Sequence, residues 1–95
     1  MGSYKLSKKA RADLKRIWLY GVKTHGNQRA DQYHQGMLDR FAHIAEQPYL
    51  YQAVDSIRAG YRRSVYGTDS IYYRINDGTV EIMTILGHQD TEDWL

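Results

Sequence analysis

The chain has 95 residues, one proline, no cysteine and a formal net charge of +2. At roughly 100–200 residues per domain, this length predicts a single domain over residues 1–95, with Met1-Gly2-Ser3 interpreted as a tag remnant without structural weight. The lack of cysteine excludes disulfides and thiolate zinc sites and is typical of a reducing cytoplasm. Neither a leader nor an apolar run near the ~20 residues of a membrane span is visible, so we expect a cytoplasmic protein without a membrane partner.

Charge is distributed unevenly along the chain. Residues 1–24 carry seven basic side chains and one acid, whereas residues 75–95 carry five acids and no lysine or arginine. A basic segment attracts anionic partners, either nucleic acid or an acidic polypeptide, over a range that salt limits. The alternative is a solvated helix face, and the pattern alone leaves both interpretations open.

Two amphipathic helices are predicted first. Between Ser7 and His25 apolar positions recur every three or four residues, with Ser7 as the N-cap and Gly26 as the helix end. A second stripe follows at once and ends before Pro48. The short connection predicts an antiparallel helical hairpin. The two stripes are Ala10, Leu14, Ile17, Trp18, Gly21 and Val22, then Ala30, Tyr33, Met37, Leu38, Phe41, Ile44 and Ala45.

Strands are predicted on both sides of this hairpin. Tyr4-Lys5-Leu6 alternates and is read as an opening strand, while Tyr49 to Gly60 is read as a loop with room for a helical turn. Asp77-Gly78 predicts a two-residue type I′ turn between two alternating runs. That turn places Ile75–Val80, Tyr73–Ile82 and Ile71–Thr84 on one face, and Arg74–Glu81 and Tyr72–Met83 on the other.

A further strand, Tyr61 to Tyr66, is expected to return through a three-residue loop at residues 67–69. This register turns Arg63 toward the helices. The predicted fold is α+β with the order β-α-α-β-β-β, a helical hairpin packed on a small, mainly antiparallel sheet. The opposite, open face would then carry Arg62, Ser64, Tyr66, Ser70, Tyr72, Arg74, Glu81 and Met83.

Residues that could perform chemistry are few. The histidines stand at positions 25, 34, 43 and 88 without the spacing of a metal site, and the glycines form no phosphate loop, so we expect no metal and no cofactor. Metal-free RNA cleavage needs a base, an acid and several cations around one phosphate. Arg62, Tyr72, Arg74 and His88 could bind a phosphate there. The alternative is a solvated sheet surface on which aromatic and arginine side chains pack against each other, although nine tyrosines favour an adhesive surface.

Several short motifs, taken together, are similar to those of one family. They are Ala10-x-x-Asp13-Leu14-x-x-Ile17, Ile57-Arg58, Gly60-Tyr61-Arg62, Gly67, Ile71-Tyr72-Tyr73 and Ile85-Leu86-Gly87-His88. With this order of elements, nearly the whole chain resembles the RelE/ParE superfamily of bacterial toxins, and ParE most of all. The resemblance implies either ribosome-dependent mRNA cleavage, as in RelE, or poisoning of DNA gyrase on cleaved DNA, as in ParE.

The RelE catalytic pattern is largely missing from this sequence. Arg62 stands at the first catalytic lysine, Ser64 at the second, Ser70 and Gln89 at two arginines, and no tyrosine follows residue 73. Each lost phosphate donor costs about 3–4 kcal/mol of transition-state stabilisation. We therefore expect a gyrase inhibitor without catalytic residues, with ribosome-dependent cleavage as the alternative and no sequence-specific nucleic-acid binding.

The resemblance implies two binding surfaces and a toxin–antitoxin hetero-oligomer. A ParD-like antitoxin, disordered when free, is expected on the first helix, at Lys15, Trp18, Leu19 and Val22. DNA gyrase is expected on the open face and the acidic tail, at Arg62, Tyr72, Arg74, His88 and Trp94. Trp94-Leu95 is either a clasp on the core or an exposed anchor.

Overall fold

The computed structural model describes residues 2–87 and has the predicted α+β architecture. The elements are β1 (Tyr4–Leu6), α1 (Lys8–His25), α2 (Asn27–Glu46), β2 (Gln52–Ala53), β3 (Tyr61–Tyr66), β4 (Asp69–Asn76) and β5 (Thr79–Gly87). A five-stranded sheet in the order β1-β5-β4-β3-β2 has a helical hairpin on one face. The short β2 lies in the segment predicted as a loop, and β1 pairs with β5 in parallel.

The two helices begin and end where the sequence predicts. Ser7 is the N-cap of α1, and its Oγ accepts a hydrogen bond from the Ala10 N–H at 2.9 Å. Gly26 alone separates α1 from α2 and has a φ of 88°, a conformation that glycine adopts without a Cβ penalty. A Cβ added to Gly21 would lie 3.2 Å from the Ala30 Cβ, so the helices approach closely there.

The main core lies between the helices and the sheet. It is built from the two predicted helical stripes and from the strand residues whose side chains face the helices. Its buried members are Ala10, Leu14, Met37, Phe41, Ile44, Ile71, Tyr73, Val80, Ile82 and Ile85. Tyr4 packs edge-on against Phe41 with 5.6 Å between ring centroids, which ties the first strand to α2.

The β4–β5 hairpin confirms three of the five predicted pairs. Asp77 and Gly78 both have positive φ, at 50° and 75°, as the type I′ turn requires. The pairs Ile75–Val80, Arg74–Glu81 and Tyr73–Ile82 form as predicted, and then the register shifts by one residue. The predicted pairs Ile71–Thr84 and Tyr72–Met83 are wrong, because Ile71 lies opposite Ile85 and Tyr72 opposite Thr84.

The predicted turn between β3 and β4 is too long by one residue. Tyr66 pairs directly with Asp69, so only residues 67 and 68 form the loop, and Gly67 has the positive φ (57°) of a type II′ turn. Because strand faces alternate, this one-residue difference reverses β3. Arg62 lies opposite Tyr73 on the helix side, and Arg63 lies on the open face. The predicted placements of both arginines are therefore wrong.

Side chains of α1 close the part of the β5 edge that β1 does not cover. β1 pairs only with residues 80–82. Beyond them, Ser7 Oγ donates to the Met83 carbonyl oxygen at 2.8 Å. Asp13 Oδ2 accepts from the Ile85 N–H at 3.0 Å, and Arg16 Nη2 donates to the Ile85 carbonyl oxygen at 3.1 Å. These contacts satisfy the backbone groups that an edge strand leaves unpaired.

Side chains of α2 close the part of the β3 edge that β2 does not cover. β2 covers only Arg62 and Arg63. Arg40 Nη1 donates to the Val65 carbonyl oxygen at 2.8 Å, and the Tyr33 hydroxyl donates to the Tyr66 carbonyl oxygen at 2.9 Å. Each helix therefore supplies polar side chains to one edge of the sheet.

Replacing Arg40 with methionine tests this closure, because methionine keeps an unbranched stem but has no donor. Arg40 Nη1 also donates to Ser64 Oγ at 2.8 Å, and its guanidinium lies 5.3 Å from the centre of the Tyr66 ring. We expect Arg40→Met to lower the free energy of unfolding by about 1–2 kcal/mol in urea titrations. The exposed control Arg29→Met should change it by less than about 0.5 kcal/mol, and an equal loss in both variants would contradict the assignment.

The first residues have a structural part that the sequence did not predict. The Ser3 carbonyl oxygen accepts a hydrogen bond from the Val80 N–H at 3.2 Å, which extends the contact of β1 with β5. The expectation that this segment has no structural weight is wrong for Ser3, whereas its origin as a tag remnant stays a prediction. Among the described residues, neither helix is long and apolar enough to cross a membrane.

Candidate functional site

A groove of about 510 Å³ opens between α1, α2 and the β3–β4 turn. Trp18 and Gly21 contribute from α1, Tyr33 and Met37 from α2, and Gly67 from the turn. The Tyr33 hydroxyl has one proton to donate and lies within hydrogen-bond distance of two acceptors, Asp69 Oδ2 at 2.8 Å and the Tyr66 carbonyl oxygen at 2.9 Å, which fixes that side of the groove. His25, Arg29 and His34 also line the groove. Its shape and composition suit an apolar side chain of a binding partner.

The four residues predicted to bind an antitoxin lie on two neighbouring surfaces, the groove and the outer face of α1. Trp18 lines the groove, and its Nε1–H donates to Asp31 Oδ1 on α2 at 2.8 Å. Lys15, Leu19 and Val22 follow one another at three- and four-residue steps on a neighbouring face of α1. Lys15 is exposed, Leu19 is 43% exposed and Val22 is half-buried. Trp18 therefore connects the groove to this outer face.

The open face of the sheet is less polar than predicted. Tyr61, Tyr72 and Leu86 are buried and form a second apolar cluster with Val54, against which Met83 packs. Tyr72, a predicted target contact, is only 1% exposed. The Arg58 guanidinium lies 5.4 Å from the centre of the Tyr61 ring. Tyr72 therefore contributes to packing on this face and is not an accessible hydroxyl.

The two predicted target-binding arginines on the sheet are both engaged. Arg74 Nε donates to Glu81 Oε1 at 2.7 Å, which raises the pKa of Arg74 and neutralises its charge locally. On the other face, Arg62 Nη1 donates to the Tyr51 carbonyl oxygen at 2.8 Å, and its guanidinium lies 5.0 Å from the Tyr49 ring centre. The structure thus separates Arg62 from Arg74. Arg63 is half-buried opposite Tyr72 instead.

The remaining predicted target contacts, His88 and Trp94, lie outside the described residues. The choice between a clasp and an anchor for Trp94-Leu95 therefore stays a prediction. Deleting residues 91–95 separates the two, because loss of a clasp lowers the melting temperature, whereas loss of an anchor abolishes toxicity at unchanged stability.

The two tyrosines with strongly shifted pKa values are poor candidates for acid–base chemistry. Burial and the hydrogen bond to Asp69 raise the pKa of Tyr33 to about 12, and burial raises that of Tyr73 to about 12. Both hydroxyls stay protonated near neutral pH, and that of Tyr73 donates to the Pro48 carbonyl oxygen at 2.6 Å. Among residues 2–87, no group of three or more histidines and carboxylates could hold a metal ion.

Asp13 is the buried charge that sequence analysis did not recognise. Its side chain is 7% exposed, and Oδ2 accepts hydrogen bonds from Thr84 Oγ1 at 2.7 Å and from the Ile85 N–H. Lys9 Nζ lies 3.2 Å from Oδ1, and Arg16 Nη2 lies 3.5 Å from it. The available signal was an acid between the buried positions 10 and 14 of an apolar stripe. Arg40 and Tyr33 had no comparable signal.

The fold of this chain identifies the class of proteins to which it is similar. The chain has a helical hairpin packed on a five-stranded mixed sheet, which is the architecture of the RelE/ParE-like toxins. Its fold is similar to two solved structures: the chromosomal ParDE system of P. aeruginosa (TM-score 0.79, 22% identity, covering 92% of this chain and 96% of that chain) and the Mycobacterium tuberculosis complex RelBE2 (TM-score 0.69, 19% identity, 92% and 98%).

Sequence comparison narrows the class. Residues 4–92 match the family described as the ParE toxin of the type II toxin–antitoxin system parDE. The chain is 38% identical over 89 residues to Toxin ParE1 of Caulobacter vibrioides, covering 94% of this chain and 91% of the relative. It is 33% identical over 87 residues to Toxin ParE1 of Mycobacterium tuberculosis, with coverages of 90% and 88%. The chain therefore belongs to the ParE toxin family.

Proposed function

We propose that this toxin acts by binding DNA gyrase and holding it on cleaved DNA, and that a ParD-like antitoxin neutralises it. The toxin would act in the cytoplasm, where gyrase works, and would need no catalytic residue of its own. Membership of the ParE family supports this proposal. The positions of the arginines and of Tyr72 in the sheet support the proposal independently.

The observation that carries the proposal is the placement of the arginines. Cleaving a phosphodiester requires several cations at the same phosphate, within hydrogen-bond distance of the developing charge. Here Arg62 lies on the helix side, Arg74 is paired with Glu81, and Tyr72 is buried. Within residues 2–87, the open face does not bring these three groups to one phosphate. Binding to a macromolecule requires no such convergence.

The groove and the apolar part of α1 support the antitoxin proposal. A segment that folds on binding needs an elongated apolar surface, and Trp18, Leu19 and Val22 continue from the groove onto the outside of α1. Two solved structures of similar fold are the chromosomal ParDE toxin–antitoxin system of P. aeruginosa and the toxin–antitoxin complex RelBE2 of Mycobacterium tuberculosis. On this chain, the groove and the outside of α1 would receive the antitoxin.

A parallel pair of assays distinguishes gyrase inhibition from RNA cleavage. The purified toxin is added to gyrase with supercoiled plasmid, and linear DNA is scored after denaturation; it is also added to a translation reaction, and the message is scored for cuts. We expect linear DNA and intact message. Cut message that becomes intact with Arg62→Ala or His88→Ala, without linear plasmid, would support the RelE-type ribonuclease instead.

A further inference from the structure

The outer face of α1 carries a row of exposed cations without a structural role in the described part of the fold. Lys8, Arg11 and Lys15 follow at three- and four-residue steps, so they lie on one side of the helix. All three are exposed, and none forms an ion pair with a carboxylate within residues 2–87. We call these three residues the basic row.

The neighbouring cations show what a structural role on this helix involves. Lys9 and Arg16 both contact the buried Asp13, and Arg16 also closes the β5 edge. Asp13 is the only acid in residues 1–24, so it leaves the basic row uncompensated. The positive field of that row therefore extends into solvent.

The position of Lys8, at the start of the row, is unfavourable for stability. The first turn of α1 contains no acid, although carboxylates are favoured there and cations are disfavoured by the helix dipole. Lys8 is the first residue of the helix. A charge that weakens the element carrying it, without any partner in the described fold, points to a ligand outside the chain.

The spacing of the row suits a phosphate backbone. Lys8 and Lys15 are seven residues apart, which is about 10 Å along a helix. Duplex DNA presents one negative charge per ~1.7 Å of its axis, so several phosphates lie within reach of three long side chains. A protein partner would need an apolar anchor at the centre of the contact. In α1 such anchors begin only with Trp18 and Leu19, beyond the row.

We infer that the basic row binds the phosphate backbone of duplex DNA without reading its sequence. Such contacts depend on charge and on the release of counterions, and they carry no base recognition. The inference goes beyond the proposed function, because it is measured with DNA alone and stands or falls without gyrase.

The test compares two variants that each lose one arginine and one lysine. Arg11→Gln with Lys15→Gln changes the row, and Lys23→Gln with Arg29→Gln changes exposed cations elsewhere. Binding of a fluorescent 20-base-pair duplex is followed by anisotropy from 50 to 200 mM salt. We expect the row variant to bind at least about tenfold more weakly at 50 mM, and its salt slope to fall by about 2, at roughly 0.9 per lost phosphate contact. The control should retain the wild-type slope.

A single charge reversal separates binding from folding. Lys8→Glu places an acid in the first turn of α1, so its melting temperature should equal or exceed that of the wild type, while its affinity for DNA falls. Three results would overturn the inference: equal losses in the row and control variants, a wild-type affinity independent of salt, or equal or tighter binding of polyglutamate with the same total charge. The last result would assign the row to an acidic protein.

Discussion

Asp13→Ala is expected to lower the free energy of unfolding by about 3–5 kcal/mol, which is a large part of the 5–15 kcal/mol typical of a domain. The carboxylate is buried and accepts hydrogen bonds from the Thr84 hydroxyl and the Ile85 N–H. Alanine leaves both donors unpaired where water does not reach them. It also frees Arg16 from one of its contacts at the edge of β5.

Urea unfolding followed by circular dichroism measures this effect. Asp39→Ala is the matched control, because Asp39 is an exposed acid on α2 whose hydrogen bond, from Gln35, is local to its own helix. The control should change the free energy of unfolding by less than about 0.5 kcal/mol. If Asp13→Ala were no worse than Asp39→Ala, the proposed role of Asp13 in joining α1 to β5 would be refuted.

The same carboxylate should make stability depend on pH in the acid range. Burial raises the pKa of Asp13, but the hydrogen bonds from Ile85, Thr84 and Lys9 together outweigh it and bring the pKa below its ordinary value of 3.8. A group with a lowered pKa in the folded state stabilises the fold above its unfolded pKa, and this contribution disappears as the pH falls through the folded value. Wild-type stability should therefore decline below about pH 4 more steeply than that of Asp13→Asn. Parallel curves would contradict this assignment.

Replacing Trp18 and Leu19 with serine should weaken binding of the antitoxin by about 10³–10⁶-fold, if the antitoxin lies on α1 as we propose. Buried aromatic and aliphatic anchors contribute about 2–4 kcal/mol each when they lie at the centre of an interface. Trp18 joins the groove to the outer face, and Leu19 is 43% exposed before any partner binds. Both side chains can therefore lose water on binding.

Titration calorimetry with the cognate antitoxin, together with rescue of growth by its co-expression, provides the measurement. The matched control is Tyr49→Ser with Leu50→Ser, which removes an equally apolar pair, 69% and 65% exposed, from the loop after α2. The control should remain neutralised. Unchanged affinity in the Trp18 and Leu19 variant would exclude this surface as the antitoxin-binding site. A loss of affinity confined to the control would instead place the interface on the loop after α2.

The predicted and observed registers show where local sequence signals stop being sufficient. The Asp77-Gly78 turn fixed the first three tested pairs of the β4–β5 hairpin, because two positive φ angles suit that dipeptide. Where the register shifts, Asp13, a residue about 70 positions away, accepts hydrogen bonds from the Thr84 hydroxyl and the Ile85 N–H. No local pattern in β5 encodes that contact.

The positions of the candidate residues in the fold were predicted correctly on α1 but not on β3, for a related reason. Residues on α1 could be assigned to a face from helical periodicity, and their exposure agrees with that assignment at Lys15 and Leu19. On β3 the assignment depended on the length of one turn, and a difference of one residue exchanged Arg62 and Arg63. Successive side chains of a strand point to opposite faces, so an error of one residue in the turn length assigns every residue of the strand to the wrong face.

The sequence alone determined the two helices with their caps, the turn of the final hairpin and the resemblance to ParE toxins, because these depend on residues close together in the chain or on a pattern distributed over all of it. Only the tertiary structure decided which arginines share a face, how the sheet edges are closed and that Tyr72 is buried. Those features arise from contacts between distant segments, where one shifted residue or one buried carboxylate changes the outcome.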